Sequence, residues 1–498
     1  MLSHTEIRGL MFDSARCLER RDYYRKAVDF AAERGINAIL WHFTDDQGCT
    51  LAFDSVPGIA SPNAYSKSEM KRLIAYARER GITIIPELAA LGHCRYITRL
   101  PEYRHLDEIE HVFTGMCPVA PEAREVLLKL LEEVVETFDS PWIHVGLDEA
   151  NIGHHPLTLE ALKTRSVSEI VADHINFLHE HVRRLGREMM MWGDGLLHDR
   201  AIAPRISRDI IVCDWQYAPT VTGETVQYFL DEGFRVVLCP ALVCYQQPTF
   251  PGDQYAVANI QSLLRHGSRQ GKGRVVGAIE TIWQPERYMH DALWIGLDLA
   301  CGFLQHGSDM SIEERTRQFA ETFYGFTPDD AWVKACREMY RLAPLREEWL
   351  AVAKHDVAAL PPAATLRGRA LAWKDIVEAF IAGRSSVRKN RRAYNSFLLL
   401  VRVIRHLYRK ALILQTRKPT TAQLCALAGR EQRLLERAEA VWDRERFADD
   451  PKKYQPAREV MRDNHLLIVL RAAAERTKAE LQRVSAPPST PVAPVLAD

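Results

Sequence analysis

The chain has 498 residues, with 65 basic and 65 acidic side chains and a formal net charge of zero. This balance favours neither nucleic acid nor a membrane surface as the main partner. A chain of this length exceeds what one hydrophobic core usually organises, so we expect a large domain with a second unit. Ten cysteines stand singly with no Cys-x-x-Cys pair, and no apolar signal segment opens the chain, so we expect a cytoplasmic protein.

Short apolar runs alternate with helical patterns from residue 8 to about residue 305, which is typical of strand–helix units and a parallel sheet. We predict eight strands at Leu10–Asp13, Ala38–Thr44, Thr83–Leu88, Trp142–Leu147, Met189–Trp192, Ile210–Trp215, Arg235–Pro240 and Val275–Trp283. Helices separate them at Tyr23–Arg34, Lys67–Arg80, Arg124–Thr137, Ser168–Leu185 and Ala292–Phe303. The pattern predicts an α/β fold, a (β/α)8 TIM barrel over residues 1–310. An open doubly wound sheet is the alternative, but no Gly-x-Gly-x-x-Gly follows the first strand.

Polar and aromatic side chains stand at the end of nearly every predicted strand. The carboxyl ends of barrel strands meet at one face, where the active site is built. The fourth strand is the most informative because it runs into Asp148 and Glu149, and two carboxylates in different environments can take different roles. The other such residues are Asp13, His42, Asp45, Asp46, Glu87, His93, Trp192, Trp215, Tyr245 and Trp283.

Beyond residue 310 the pattern changes to long amphipathic helices. One apolar face repeats at spacings of three and four residues, namely Phe397, Leu400, Val401, Ile404, Leu407, Tyr408 and Ala411. Four basic residues interrupt this stretch, so it cannot span a bilayer. We predict an α-helical C-terminal domain over residues 311–483 that packs on the barrel or forms a homodimer, and a disordered Pro-rich tail over 484–498. The basic run Arg388–Arg392 is interpreted as a solvated face.

Four segments of the predicted barrel resemble, in order, elements of glycoside hydrolase family 20, the β-N-acetylhexosaminidases. They are Arg8–Arg16 at the first strand, Trp41–Gly48 after the second, Ile85–His93 at the third and His144–Glu149 at the fourth. Their joint order and spacing carry the resemblance, which covers about the first three-fifths of the chain. The helical part contributes nothing to it.

The resemblance implies a retaining, exo-acting hydrolase of terminal β-linked GlcNAc or GalNAc. In this family the substrate's own 2-acetamido carbonyl attacks the anomeric carbon and forms an oxazolinium intermediate. It implies that Glu149 is the general acid and that Asp148 orients the acetamido group. His93, with Asp45 or Asp46, is implied as the set that tunes the acid. No metal or other cofactor is implied, and the partner would be a small glycoside or oligosaccharide.

The resemblance also implies residues that bind the substrate. Arg8 would bind the sugar hydroxyls, Tyr245 would donate to the acetamido oxygen, and tryptophans would wall the sugar ring. The complete set is Arg8, His144, Trp192, Trp215, Tyr245, Gln247, Trp283 and Glu286.

The chain departs from the family pattern at positions that we expect near this set. Leu147 stands where a small residue is usual, and Ala89 and Gln247 each replace an aspartate. The last tryptophan–glutamate element is one residue longer than usual, so Glu280 is an alternative to Glu286 as a hydroxyl ligand. We therefore expect the chemistry to be kept while the sugar or aglycone preference differs.

Two other functions remain compatible with the sequence. One is a barrel glycosidase that acts on sugars without the 2-acetamido group. The other is a non-catalytic sugar-binding protein whose helical part recruits a partner. The joint presence of Arg8, His93, Asp148 and Glu149 favours a hydrolase, because a binding protein has no need of a general acid.

Overall fold

The computed structural model describes residues 7–109, 115–244, 250–270, 273–415, 419–447 and 465–485. Eight parallel strands form a closed barrel, in which the last strand pairs with the first. These strands are β1 Ile7–Asp13, β2 Ala38–His42, β6 Thr83–Glu87, β7 Trp142–His144, β8 Glu188–Trp192, β9 Ile211–Trp215, β10 Arg235–Cys239 and β12 Val275–Ile282. The predicted TIM barrel is confirmed, and the doubly wound alternative is excluded because the sheet closes on itself.

Four short strands lie outside the closed ring. Three of them form a small sheet after β2, and the fourth extends the edge of β12; they are β3 Thr44–Asp45, β4 Gly48–Leu51, β5 Ala60–Tyr65 and β11 Ala241–Val243. The small sheet begins at Thr44, so the strand predicted over Ala38–Thr44 ends early at His42. The turn between β2 and β3 keeps the following acidic residues at the carboxyl end of the barrel.

Helices connect the strands and pack against the outer face of the barrel. They are α1 Arg21–Ala32, α2 Lys67–Arg78, α3 Arg95–Thr98, α4 Pro121–Thr137, α5 Pro156–Ala161, α6 Val167–Arg184, α7 Asp194–His198, α8 Glu224–Asp231, α9 Ala258–Gln270 and α10 His290–His306. Capping boxes begin α2, through Ser66 and Glu69, and α6, through Ser166 and Glu169. Nearly all of α10 is buried, because it lies between the barrel and the helices that follow.

The core has two layers, as the alternation of side chains along each strand requires. Apolar side chains such as Met11, Leu40, Ile85, Met190 and Ile279 fill the barrel interior. The intervening residues of the same strands face outward and join the larger core beneath the helices. Because side chains fill the interior, the barrel is not a pore, and we expect the active site at one end of it.

The C-terminal half of the described chain is helical. Its helices are α11 Ile312–Phe319, α12 Asp330–Arg341, α13 Arg346–Lys354, α14 Ala363–Gly383, α15 Arg391–Leu414, α16 Thr421–Glu445 and α17 Leu466–Ser485. The apolar face predicted around Phe397 and Ile404 is the buried face of α15, which packs on α10 and α14. Among the described helices, none is long and apolar enough to cross a membrane.

Arg446, just after α16, joins the helical half to the carboxyl end of the barrel. Its fully buried guanidinium donates to the backbone oxygens of Pro285 (2.7 Å) and Tyr288 (3.0 Å) in the loop after β12. It also lies over the ring of Trp442, 3.5 Å from the centroid. The helical half therefore packs on the barrel, while the limits at residues 310 and 483 stay predictions and most of the proline-rich tail lies outside the described residues.

Candidate active site

The backbone turns sharply after β7, and this turn places two adjacent carboxylates. Gly146 (φ 66°), Leu147 (φ 79°) and Glu149 (φ 51°) all have left-handed backbone. The strand predicted over Trp142–Leu147 therefore ends early, at His144, because a left-handed residue cannot continue a strand. Such a conformation costs on the order of 1–3 kcal/mol at a residue other than glycine, and strain of this kind concentrates at functional sites.

Gly92 allows the loop after β6 to approach this turn closely. A Cβ at this position would lie 1.8 Å from the backbone oxygen of Asp148, so no larger residue fits without moving the turn. The next residue, His93, also has left-handed backbone, with φ 55°. The glycine thereby brings the His93 imidazole against the carboxylates that follow β7.

His93 connects two pairs of carboxylates. Its Nδ1 lies 3.2 Å from Asp46 Oδ2 and 3.4 Å from Asp45 Oδ2. Its Nε2 lies 3.4 Å from Asp148 Oδ2 and 3.3 Å from Glu149 Oε2. Burial opposes a charge on the ring, but the carboxylates around it hold the pKa of His93 well above its usual value. The structure thus brings the five predicted catalytic residues together around one imidazolium.

Asp148 and Glu149 stand in different environments although they are adjacent in sequence. The Asp148 side chain is 16% exposed, whereas that of Glu149 is 63% exposed. Burial raises the pKa of Asp148 to about 7; His93 acts against this shift, and the neighbouring carboxylates Asp194 and Glu87 add to it. Asp148, largely shielded beside an imidazolium, and Glu149, exposed to solvent, are therefore suited to different roles.

Asp194, at the start of α7, supports both the acidic turn and one tryptophan. Its Oδ2 accepts the backbone N–H of Glu149 at 3.0 Å, and its Oδ1 accepts the indole N–H of Trp215 at 3.2 Å. The carboxylate is buried, and burial raises its pKa. Sequence analysis missed this residue, although it lies two positions after Trp192 at the end of β8.

Arg16 is a further cation of the site, and its side chain is 10% exposed. Its guanidinium lies 2.9 Å from Asp13 and 2.8 Å from Asp45, and it stands 4.9 Å from the ring centroid of Trp283. Burial disfavours the charged form of Asp45, yet Arg16 and His93 hold its pKa well below the usual range. Arg16 therefore brings a positive charge, held in place by two carboxylates, to the carboxyl end of the barrel.

Arg8 lies at the opposite end of the barrel, which corrects the sequence-based assignment. It is the second residue of β1, and its Nε donates to Gly35 O at 3.0 Å, in the connection between α1 and β2. Its backbone N–H donates to Asn37 Oδ1 at 2.8 Å in the same connection. Amino ends of strands lie at the face away from the active site, so Arg16 replaces Arg8 as the candidate for binding sugar hydroxyls.

His42 lies in a buried network of close polar contacts with two carboxylates. His42 Nδ1 lies 2.8 Å from Glu87, and its Nε2 lies 3.3 Å from Asp45. Burial opposes a charge on His42, but Glu87 and Asp45 together raise the pKa of His42 to about 10. Burial raises the pKa of Glu87, but His42 and His144 beside it lower that pKa by more, to about 2. Glu87 also accepts the indole N–H of Trp192 at 2.8 Å, which orients that ring.

Three tryptophans predicted from the strand ends surround the same region. Trp192 is buried, and its ring centroid lies 6.1 Å from that of Trp283. Trp283 donates its indole N–H to the Tyr217 hydroxyl at 2.7 Å, and Trp215 stacks on Tyr217 at 5.1 Å. Tyr217 is a second residue that sequence analysis missed, two positions beyond the end of β9. It ties the two partly exposed tryptophans into one wall.

His144 does not open onto the pocket. The residue is fully buried, and its ring lies 4.4 Å from that of Trp192. Its Nδ1 accepts the backbone N–H of Gly146 at 3.1 Å. The structure therefore places this predicted substrate-binding residue beneath the tryptophan, where it supports the turn after β7.

The two candidate glutamates differ in position: Glu280 lies within β12, and Glu286 lies in the turn that follows it. Glu286 follows β12 and is buried near Asp13 and Arg16, and burial raises its pKa. Glu280 is paired in register with Leu10 and points away from the barrel interior, where its neighbour Ile279 lies. Glu280 is thus the wrong alternative, and Glu286 stays the candidate.

The structure describes only some of the positions at which the chain departs from the family pattern. Leu147 and Ala89 are both buried, and Ala89 lies directly under Gly146, where an added Cβ would be 3.1 Å from the Ala89 Cα. These two changes therefore affect the packing below the acidic turn. Tyr245 and Gln247 lie outside the described residues.

Asp45, Asp46 and His93 offer ligand atoms within 4.8 Å of one another, a spacing that could suit a metal ion. Arg16 and His42 already contact Asp45, however, and the raised pKa of His93 favours its protonated form, which cannot bind a metal ion through Nδ1. The residues present fit an ion-pair network better than a cation site.

The comparisons with known proteins agree with this arrangement. Residues 6–266, more than half of the chain, match the model of glycosyl hydrolase family 20, catalytic domain. A beta-hexosaminidase of Vibrio furnissii is 26% identical over 276 residues, which are 48% of this chain and 43% of the relative. One from Akkermansia muciniphila is 31% identical over 167 residues, 29% of this chain and 34% of the relative. The chain thus spans less than half the length of these relatives.

Solved structures share the fold at low sequence identity. The chitobiase of Flavobacterium johnsoniae has a TM-score of 0.56 and 17% identity, and the match covers 95% of this chain and 78% of that one. An exo β-N-acetylglucosaminidase of Vibrio harveyi has a TM-score of 0.53 and 22% identity, over 64% and 57% of the two chains. Together with the family match, the barrel and its acidic turn show that the chain belongs to glycosyl hydrolase family 20.

Proposed function

We propose that the protein removes terminal β-linked N-acetylhexosamine from small glycosides, with retention of configuration and with the substrate's acetamido group as nucleophile. The observation that carries this proposal is the division between Asp148 and Glu149. Asp148 is largely shielded beside His93 and Glu149 is exposed to solvent, although they are neighbours in the chain. The curated hexosaminidases that the chain resembles support the same sugar class.

Glu149 is the proposed general acid. Its carboxyl group is exposed to solvent at the carboxyl end of the barrel, where the leaving group of a terminal sugar would lie. The backbone N–H of Glu149 is held by Asp194, and its side chain lies 3.3 Å from His93. A carboxylic acid held by its backbone can protonate the glycosidic oxygen without losing its position, and its conjugate base can then activate water for the second step.

Asp148 is the proposed partner of the acetamido group. Its buried carboxylate would accept the acetamido N–H and orient the carbonyl oxygen toward the anomeric carbon, an entropic advantage. As the oxazolinium forms, positive charge develops on that nitrogen, and the anion stabilises it in a site of low dielectric constant. This step requires the ionised form of Asp148, so the pKa near 7 sets the pH range in which the reaction runs.

Arg16 and the tryptophans would hold the sugar ring. The guanidinium of Arg16 lies over Trp283 and is flanked by Asp13 and Glu286, a group suited to the hydroxyls of a terminal residue. Trp192, with the Trp283–Tyr217 pair, would pack against the apolar faces of the ring and the acetamido methyl group. The ten cysteines form no disulfide in the structure, and we propose that the enzyme works in a reducing compartment, the cytoplasm.

The test of this function is the stereochemistry of hydrolysis, followed by proton NMR on p-nitrophenyl β-N-acetylglucosaminide. Attack by the acetamido group and then by water releases the β-anomer first, and mutarotation adds the α-anomer later. Release of the α-anomer first would show direct displacement by water and would exclude the proposed intermediate. Hydrolysis of the β-glucoside at a comparable rate would favour a glycosidase that does not need the acetamido group.

A further inference from the structure

A cleft of about 290 Å³ lies where the helical half packs on the barrel, and none of the residues that line it belongs to the candidate active site. Its lining has more cations than anions: the cations are Arg20, Lys26, Arg391, Arg392 and Arg444, and the carboxylates are Asp22, Asp291 and Glu445. The chain as a whole has no net charge, so this concentration of positive charge is local. It includes part of the basic run that the sequence assigned to a solvated face.

The amino end of α15 opens into the cleft. The first helical residues, Arg391 to Ala393, line it, and their N–H groups have no acceptor within the helix. The preceding residue, Asn390, has left-handed backbone and turns its amide toward Phe323 O (2.8 Å), so its side chain does not cap the helix. No acidic residue lies in the first turn. The helix dipole therefore adds to the positive potential of the arginines.

A buried imidazole faces the same space. His290 is 6% exposed, lines the cleft and stacks on Tyr23 with 4.0 Å between ring centroids. Its Nδ1 is buried and makes no hydrogen bond in the part of the chain that the structure describes; the nearest carboxylate, Glu445, is 3.9 Å away. Burial, together with Arg446 and Lys26, holds the pKa of His290 well below its usual value, so the ring is neutral and retains one N–H to donate.

The carboxylates of the cleft lie near other cations, whereas two of its arginines form no ion pair in the described chain. Glu445 accepts the backbone N–H groups of His290 (3.0 Å) and Asp291 (3.1 Å) and lies 3.2 Å from Arg446. Among the described residues, no carboxylate forms an ion pair with Arg392 or Arg444; Arg444 donates only to the Ser396 hydroxyl, at 3.3 Å. Asp22, Asp291 and Glu445 also line the cleft, but in the described chain none of them pairs with Arg392 or Arg444, so an anion could reach those two guanidinium groups.

The positive surface continues beyond the cleft. Arg392 and Arg444 also line an adjoining groove of about 610 Å³ between α15 and α16. This groove adds Arg384, Arg402 and Arg437, and its lining contains no carboxylate. A ligand with two anionic groups could place one in the cleft and the other in the groove.

We propose that this cleft binds the phosphate or sulfate group of a small anionic ligand. Guanidinium groups match a tetrahedral oxyanion through paired N–H donors, the helix end adds backbone N–H groups, and His290 supplies a donor from the buried side. His290, Asp291 and Glu445 could instead be considered as metal ligands, since their ligand atoms lie within 4.8 Å. Lys26 and Arg446 stand directly against that trio and would repel a cation.

The proposal is tested by calorimetric titration of the full chain with inorganic phosphate and with pyrophosphate. We expect saturable binding of both, with pyrophosphate the tighter because it can reach the adjoining groove. The test variant is the exposed pair Arg392→Gln and Arg444→Gln, which should weaken binding by about tenfold or more, as expected when charged hydrogen bonds are lost. His290→Phe keeps the stacking on Tyr23 and should also weaken binding.

The matched control is Arg388→Gln with Lys389→Gln, which removes two charges from the same segment outside the cleft. Its affinity should stay within about twofold of the parent, the effect of distant screened charges. Thermal unfolding of each variant checks that it is folded, and phosphate should raise the unfolding temperature of the parent more than that of the Arg392–Arg444 variant. The proposal is overturned if neither anion binds saturably, if both double variants lose affinity equally, or if manganese or zinc binds through His290 in place of the anions.

Discussion

Nε2 of His93 lies 3.4 Å from the carboxylate of Asp148, so the charge on the imidazolium acts directly on the group that we assign to the acetamido nitrogen. On the other side of Asp148 stands Asp194, a carboxylate that acts in the opposite direction. The ionisation of Asp148 is therefore set by a cation and an anion that can be removed separately.

The pH profile should move in opposite directions when these two neighbours are changed. Asp148 must be ionised to act, so kcat/KM should fall as the pH drops through its pKa of about 7. His93→Gln removes the cation that lowers this pKa, so the acidic limb should move to higher pH. Asp194→Asn removes an anion that raises it and keeps an acceptor oxygen, so the limb should move to lower pH. Shifts in the same direction for both variants would contradict this electrostatic account.

Removal of the general acid should depend on the leaving group. Glu149→Gln should lower kcat/KM for alkyl β-N-acetylglucosaminides by about 10²- to 10⁴-fold, the usual contribution of a general acid. The loss should be much smaller for a p-nitrophenyl leaving group, which departs without a proton. Glu160→Gln, at an exposed position on α5, is the control. An equal loss on both substrates would show that Glu149 acts in some other way.

The two arginines at opposite ends of β1, Arg8 within the strand and Arg16 just after it, should differ in importance. Arg16→Lys keeps the charge but loses the guanidinium fork, and kcat/KM should fall by about 10- to 100-fold through the loss of a charged hydrogen bond. Arg8→Lys should leave kcat/KM within about threefold of the parent, because Arg8 lies at the far end of the barrel. Steady-state kinetics on the same substrate decides between them, and the reverse order would restore Arg8 to the site.

Glu280 should make the protein less stable as the pH rises. Burial holds its pKa well above the usual 4.5, and neither carboxylate oxygen has a hydrogen-bond partner in the described chain. In the folded protein the group stays protonated while the unfolded chain ionises, so its contribution is present below the unfolded pKa and is lost above it. Between about pH 5 and pH 7 the parent should lose stability relative to Glu280→Gln. Urea unfolding at the two pH values measures this, and parallel curves would refute it.

Much of the fold could be predicted because it depends on local periodicity. Alternating runs locate the eight barrel strands to within a few residues, and spacings of three and four residues identify the buried face of α15. Among the carboxyl ends of these strands, that of β7 is the least well predicted. This end depends on left-handed backbone at Leu147, which is imposed by the approach of Gly92 from another loop and leaves no local signal.

The site was predicted less completely, and two of the errors had a usable signal. Arg8 precedes the predicted first strand and Arg16 follows it, so the rule that sites lie at the carboxyl ends of strands already favoured Arg16. Alternation along the last strand placed Glu280 opposite in direction to Ile279, which is an interior residue. Asp194 was not predicted, because a single aspartate two residues after Trp192 belongs to no motif. Its bonds to Glu149 and Trp215 depend on three separate loops and could not be read from spacing.

The most direct test of the central claim is turnover of p-nitrophenyl β-N-acetylglucosaminide with and without a thiazoline that mimics the oxazolinium, in the parent and in Asp148→Asn. Substrate-assisted catalysis predicts that the parent turns over and is inhibited competitively, and that Asp148→Asn loses both turnover and tight binding of the thiazoline, because one carboxylate stabilises both species. Turnover that the thiazoline does not inhibit, or an unchanged rate in Asp148→Asn, would contradict the assignment of Asp148 and with it the proposed mechanism.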